Sequence, residues 1–261
     1  MHTALDKEVD AHTKKAWELN WEDISMPKMM EIFDYARVKK HVEILLKHLP
    51  KEGKILEAGC GLCPYLIYLS DQNYDVIGVD YNINPLKKVL SYRPSLSLAV
   101  QDVGALGFRD ESFTGYLSFG VIEHFTEGPD RALAEASRVL KTGGIAIISV
   151  PQKSVFAKLM SPVAWLKQAI KWVLRWKSPQ QYWEQYFDIR ELKMCIEKHS
   201  FKVKEIHALD HDRSLLAFGD FFRNKNTLDE MSDAAIRISR FLSRLFPFAT
   251  CSAVMFVAEK K

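Results

Sequence analysis

The sequence has no apolar run of the ~18 residues that a membrane-spanning helix needs. It also has no charged start leading into an apolar core, the mark of a secretory leader. A cytoplasmic protein is therefore expected. Cysteine is scarce: Cys60, Cys63, Cys195 and Cys251 are the four, and two of them stand far from any other, which excludes the disulfide framework of a small secreted scaffold. Neither sign of charge dominates. With 36 Lys and Arg against 33 Asp and Glu, the formal net charge of +3 is too small for a dedicated nucleic-acid binder. No internal repeat is found. What is present is a chain of 261 residues, 48% hydrophobic and 26% charged, enough to bury one large α/β core and too apolar to be disordered.

Periodicity supplies the element order. Residues 1–50 read as a helical cover, with Val38, Val42, Ile44, Leu45 and Leu49 near one face of "ARVKKHVEILLKHL". From residue 51 to 261 short apolar strands alternate with amphipathic helices: "KILEAG", "DVIGVD", "SLSLAVQD", "GYLSFG" and "IAIISV" are strands, the last preceded by a "KTGG" turn, and "FKVKEIHAL" and "CSAVMFVAE" follow near the end. The expectation is a Rossmann-like α/β fold, a seven-stranded, mostly parallel sheet with helices on both faces. Helical N-terminal and lid elaborations join it, including an insertion at 151–187 and a helical one at 209–250 that contains a helix over 228–246.

The stretch "KILEAGCGLCPYLIYLS" can be read for sulfur or for glycine. Cys60-Gly61-Leu62-Cys63 has the spacing of a redox or zinc pair, but a thioredoxin-like fold is much shorter and no second ligand pair exists for zinc, so the cysteines read as packing residues. The glycine reading has support downstream. Gly59 and Gly61 lie in the first strand-to-helix turn, where the backbone can approach a ligand, and Asp80 ends the next strand about 20 residues later, where a carboxylate can take both ribose hydroxyls. Electrostatics then separates two nucleoside ligands. A dinucleotide wants a third small residue and a helix N-terminus free for pyrophosphate, yet Pro64 stands there and Glu57 would repel phosphate. S-adenosylmethionine carries an ammonium and a sulfonium, for which an adjacent acid is favourable.

On these residues the sequence resembles the class I S-adenosylmethionine-dependent methyltransferases over roughly 50–151, 188–208 and 251–259. "ILEAGCGLC" looks like the first motif, with Glu57, Gly59, Cys60 and Gly61 around the cofactor and Cys63 in place of the last glycine. "VIGVDYN" is similar to the second, implying Asp80 on the ribose and Tyr81 beside the adenine. "QDVGALGFRDESF" resembles the third, implying Asp102 at the adenine amine and Val103 near the ring. "YLSFGVIEHF", with Phe119, and "RVLKTGGIAIISVP" look like the later motifs. The resemblance implies methyl transfer to an O, N or C atom of a small or amphiphilic molecule. Nucleic-acid methylation is not expected, because no Asn/Asp-Pro-Pro-aromatic motif follows "GYLSFG". The alternatives are a nicotinamide-dependent oxidoreductase on the same sheet, or a cofactor-binding scaffold without catalysis.

His124, just past the fourth strand, is the candidate proton acceptor, with a structural place in the cofactor shell as the other reading. Tyr182, Trp183 and Tyr186 are candidate substrate contacts, as are Trp17, Trp21 and Tyr35 ahead of the domain. No metal is expected. Gly120 stands where quinone-biosynthesis O-methyltransferases carry an acid associated with metal, and the spacing of His207 and His211 in "HALDH" does not align two side chains at a strand end. The insertion at 151–187 is basic, amphipathic and rich in Trp, with no acid before Glu184. It reads as a lid over the active site or as a membrane-surface helix, which would make the protein membrane-peripheral. Arg237, Arg240 and Arg244 in "AIRISRFLSRLFPF" could join it on one surface.

Overall fold

The computed structural model describes residues 21, 23–155, 158, 184–217, 222–224 and 231–261. Their centre is one seven-stranded sheet in the order β3-β2-β1-β4-β5-β7-β6. The strands are β1 (Lys54–Ala58), β2 (Asp75–Asp80), β3 (Ser97–Val100), β4 (Phe113–Phe119), β5 (Leu140–Pro151), β6 (Phe201–Leu209) and β7 (Ala253–Lys260). All pairings from β3 to β5 are parallel; β7 runs antiparallel between β5 and β6. The sheet is thus mixed, with the parallel part covered on both sides.

The central strands are nearly continuous apolar runs because both of their faces are buried. Alternate residues feed opposite layers: Leu56, Ala146, Ile148, Phe256 and Ala258 join one cluster, and Ile55, Ile147, Met255 and Val257 the other. The first layer is closed by α5 (Asp130–Val139) and α6 (Ile189–Lys198), through Leu133, Ala136, Leu192 and Ile196. The second is closed by α1 (Met26–Met30), α2 (Ala36–His48), α3 (Pro64–Asp71) and α4 (Ile83–Tyr92). A satellite cluster of Leu215, Met231 and Ala235 joins the short 3-10 turn Arg213–Ala217 to α7 (Asp233–Leu245), after which α8 (Pro247–Thr250) leads into β7.

The "KTGG" segment is not a free turn. β5 begins at Leu140, which pairs with Phe113, and the register shifts before Gly115 meets Ile145, so the segment is an irregular opening of the strand, with Gly143 at φ 77°. α7 starts at Asp233, where Ser232 accepts the Ala235 amide. Residues 1–20, 156, 157 and 159–183 lie outside the described residues, and with them Trp17, Tyr182, Trp183 and most of the expected lid or membrane segment. Among the described residues no helix is long and apolar enough to cross a membrane.

From β1 the chain moves outward to β2 and β3, then returns to place β4 on the other side of β1. This reversal opens a crevice at the carboxyl ends of β1 and β4, the place where open α/β sheets bind ligands.

Candidate functional site

The loop leaving β1 is built from backbone that side chains resist. Gly59, Gly61 and Cys63 have φ of 76°, 51° and 54°. A Cβ on Gly59 would sit 2.4 Å from Val121 Cγ2, and one on Gly61 would lie 3.1 Å from the Trp21 ring. Both glycines are therefore required by conformation and by close approach. Cys63 holds the third left-handed position at a cost of about 1–2 kcal/mol, so the loop keeps its path although the expected last glycine is missing. The Gly59 and Cys60 amides donate to Val79 O at 2.8 and 2.9 Å, and Asp80 Oδ2 accepts the Gly61 amide at 2.9 Å while its Oδ1 accepts the Asn82 amide at 2.8 Å. Burial pushes the Cys60 thiol well up, so the buried pair holds no ready thiolate.

Beneath the loop lies Glu57, buried at 4% exposure with Oε2 lacking any hydrogen-bond partner. Burial pushes its carboxyl up to about 8, and the nearby Asp80 adds to the rise. The Leu66 backbone pulls it part of the way back, but a buried acid with one oxygen unpartnered is costly unless a ligand supplies the cation.

A cavity of about 410 Å³ gathers these groups, with Glu57, Gly59, Cys60, Gly61, Asp80, Tyr81, Asp102, Val103, Phe119 and His124 in its wall. Every residue expected at the cofactor, and the candidate proton acceptor, face one space. Trp21 and Tyr65 also line it. Asp102 is engaged there already: Oδ1 accepts the Gly104 amide at 2.8 Å, and Oδ2 lies 3.2 Å from Arg131, whose Nε donates to Gly104 O at 2.9 Å. Tyr35 lies in neither cavity; it is 3% exposed, with the Arg37 guanidinium 5.3 Å from its ring centre.

A second cavity of about 480 Å³ shares Gly120 and His124 with the first. Tyr186 faces it, with Lys153 Nζ 5.7 Å from its ring centre. Sequence reasoning missed Glu123 in its wall, which is 2% exposed with Oε2 unpartnered; burial, with a smaller push from Glu184, raises its carboxyl to about 8. An acid in a polar-looking "IEHF" turn gives no sign in the sequence of being buried.

Also missed is a chain of three side chains. Tyr65 Oη, in the first cavity, lies 2.7 Å from His41 Nδ1, and His41 Nε2 lies 3.0 Å from Asp210 Oδ1, in the wall of the second. Burial would raise Asp210, but His41, Arg37 and Arg213 outweigh it and hold the carboxyl below the ordinary range. His207 and His211 do not converge: His207 Nε2 lies 2.9 Å from Glu205, while His211 bonds Thr250 Oγ1 and Ala208 O at 3.0 and 3.1 Å.

These features fit a cationic nucleoside. Asp80 lines the cavity beside the bare backbone of Gly59 and Gly61, and the unpartnered Oε2 of Glu57 suits an ammonium rather than a phosphate.

Comparison with known proteins agrees. Residues 56–148 match the methyltransferase domain family. A probable S-adenosylmethionine-dependent methyltransferase of Mycolicibacterium smegmatis is 30% identical over 133 residues, 51% of this chain and 51% of that protein. The eEF1A lysine and N-terminal methyltransferase of Bos taurus is 29% identical over 153 residues, 53% of this chain and 22% of its own length. The chain thus spans at most about half the length of these relatives. Phosphoethanolamine N-methyltransferase 2 of Haemonchus contortus, solved in complex with S-adenosyl-L-methionine, has the same fold, with a TM-score of 0.56 at 20% identity over 85% of this chain and 52% of that one. Over residues 56–148 the chain carries a methyltransferase domain of the S-adenosylmethionine-dependent class I type.

Proposed function

We propose that the protein transfers a methyl group from S-adenosylmethionine to an O or N atom of a small or amphiphilic acceptor that enters through the second cavity. The observation that carries this reading is the unpartnered Oε2 of the buried Glu57, in the wall of the same cavity as Asp80 and the bare glycine loop. When bound, the cofactor supplies an activated methyl on a sulfonium, so the protein has to align the acceptor and exclude water. Glu57 offsets the positive charge of the ammonium end, Asp80 receives the ribose, and Tyr81 and Val103 flank the base. His124, common to both cavities, accepts a proton from a hydroxyl or ammonium acceptor.

When His41 is neutral and its Nε2 donates to Asp210, its Nδ1 accepts the Tyr65 hydroxyl proton and leaves the phenol oxygen's lone pairs free for the cavity. Tyr65 would then offer the first cavity an uncharged polar acceptor. The names of the relatives include a methyltransferase of a protein lysine as well as one of phosphoethanolamine. The mixed charges in the wall of the second cavity, Glu123, Lys153 and Arg213, support an acceptor with a small polar head.

Calorimetry with S-adenosylmethionine, its demethylated product and NAD tests the cofactor; profiling cell extracts with labelled methyl donor tests the acceptor. Preferential NAD binding would sink the reading, and label appearing only in protein would replace the small acceptor by a polypeptide.

A further inference from the structure

Outside both cavities, α7 and the turn after it carry an outer surface that the reaction does not use. The inner side of α7 is buried at Ala235 and Ser239 and packs on Leu215, in the turn whose Leu216 lines the second cavity. The outer side shows Ile238, Phe241 and Leu245, at 42%, 64% and 56% exposure, spaced as one helical stripe. Phe246 and Phe248 extend it beyond the helix end, again well exposed. Beside this stripe Arg237, Arg240 and Arg244 form a parallel row with the same spacing. The sequence holds no acid between Asp233 and Glu259, and among the described residues none of the three guanidinium groups has a partner.

We infer that this face docks the protein on an anionic lipid surface, against the wall of the acceptor cavity. Two features together select that occupant. A second copy of the chain or a protein core would bury the phenylalanines, but would leave a row of unpaired arginines to be desolvated. A nucleic acid would take the arginines, but has no use for an aliphatic stripe of Ile238 and Leu245. The boundary between headgroups and acyl chains offers phosphate to one row and hydrocarbon to the other. The short lateral offset between the rows suits a helix lying flat in that boundary. The inference goes beyond the proposed reaction and does not depend on it, although a surface beside the acceptor cavity would bring an amphiphilic acceptor to its entrance.

The test is flotation of the full chain with phosphatidylcholine vesicles and with vesicles enriched in phosphatidylglycerol. Binding is expected to the second and not the first, and to weaken as salt is raised. Replacing Arg240→Gln and Arg244→Gln together should weaken it by ten- to thirtyfold, from roughly fivefold per arginine. Phe241→Ser with Leu245→Ser should weaken it at least as much, while binding to the cofactor's demethylated product and the thermal midpoint stay at parent values. No binding to anionic vesicles at low salt overturns the inference. So does binding that neither pair of substitutions reduces, or a dimer that the same substitutions disperse in the absence of lipid. Cofactor binding without lipid binding sinks this inference alone; lipid binding without cofactor binding sinks the proposed reaction alone.

Discussion

The carboxylate of Asp80 accepts the amide of Gly61 at 2.9 Å, tying the end of β2 to the loop that leaves β1. The acid, in the wall of the first cavity, is thus also a strut. Its own burial raises its carboxyl, and the Asn82 and Gly61 amides pull it part of the way back.

A carboxylate reserved for ribose could be removed without harm to the folded protein; this one cannot. Asp80→Ala leaves two buried amides without acceptors and should lower stability by about 1–3 kcal/mol as well as abolish measurable cofactor binding. Asp80→Asn, which keeps an oxygen for only one of the amides, should fall between. Chemical unfolding and calorimetry on the two variants read the split, and an unchanged unfolding midpoint in the alanine variant would remove the strut.

Glu57 makes cofactor binding depend on pH. Its folded-state value of about 8 means that the ligand-free protein holds a proton there at neutrality, and a cationic ligand must expel it. Affinity should rise by up to about tenfold per pH unit as pH climbs toward 8, then level off. Stability without ligand runs the other way. The unfolded acid ionises near its ordinary 4.5, so the proton held by the folded state favours folding fully below that pH, and the advantage is lost as pH rises toward 8. Glu123 adds the same trend. Glu57→Gln should flatten the binding profile while leaving the Glu123 share of the stability profile, as calorimetry and thermal melts over pH 5–9 would show.

Gly59→Ala should be severe. The new methyl would stand 2.4 Å from Val121 Cγ2 at a φ of 76°, so both strain and overlap arise at the pocket wall. A loss of about 2–4 kcal/mol in stability is expected, with weaker cofactor binding in the variant that remains folded. A stability within experimental error of the parent would mean that the loop can move aside.

His124→Ala should lower turnover by about 10²-fold or more and leave cofactor affinity near the parent value, if the residue takes the acceptor's proton from the junction of the two cavities. Tyr65→Phe gives a contrasting pattern. It frees His41 of one partner, and Asp210→Asn weakens the other, so each should cost about 1–2 kcal/mol in stability together with a smaller loss of turnover. Single-turnover rates with labelled cofactor, compared with melting curves, separate the two effects; equal turnover in His124→Ala and the parent would leave His124 as a wall residue.

How much of this was legible in the sequence follows from the range of the interactions involved. The strand-helix alternation, the glycine loop and the acid at the end of the second strand are written in short stretches, because hydrophobic period and turn chemistry act between residues a few positions apart. From them the sheet could be anticipated, and the expected cofactor residues, Glu57 and Asp80 among them, do line one cavity. The "KTGG" segment misled because its glycines mark irregular pairing within β5 rather than a free turn.

Tertiary structure alone decided the rest. His41, Tyr65 and Asp210 meet across separations of 24 and 169 residues, and no local pattern links a helix ahead of the sheet to the end of its edge strand. Glu123 looks like a surface acid until the chain around it closes, and only then does its oxygen lose water without gaining a partner. The sequence determined which side chains could do the chemistry, since their kind and local spacing are covalent facts. Which of them face one cavity, and which are stripped of solvent, depended on the crossovers of the sheet, because burial and convergence arise only when distant segments pack.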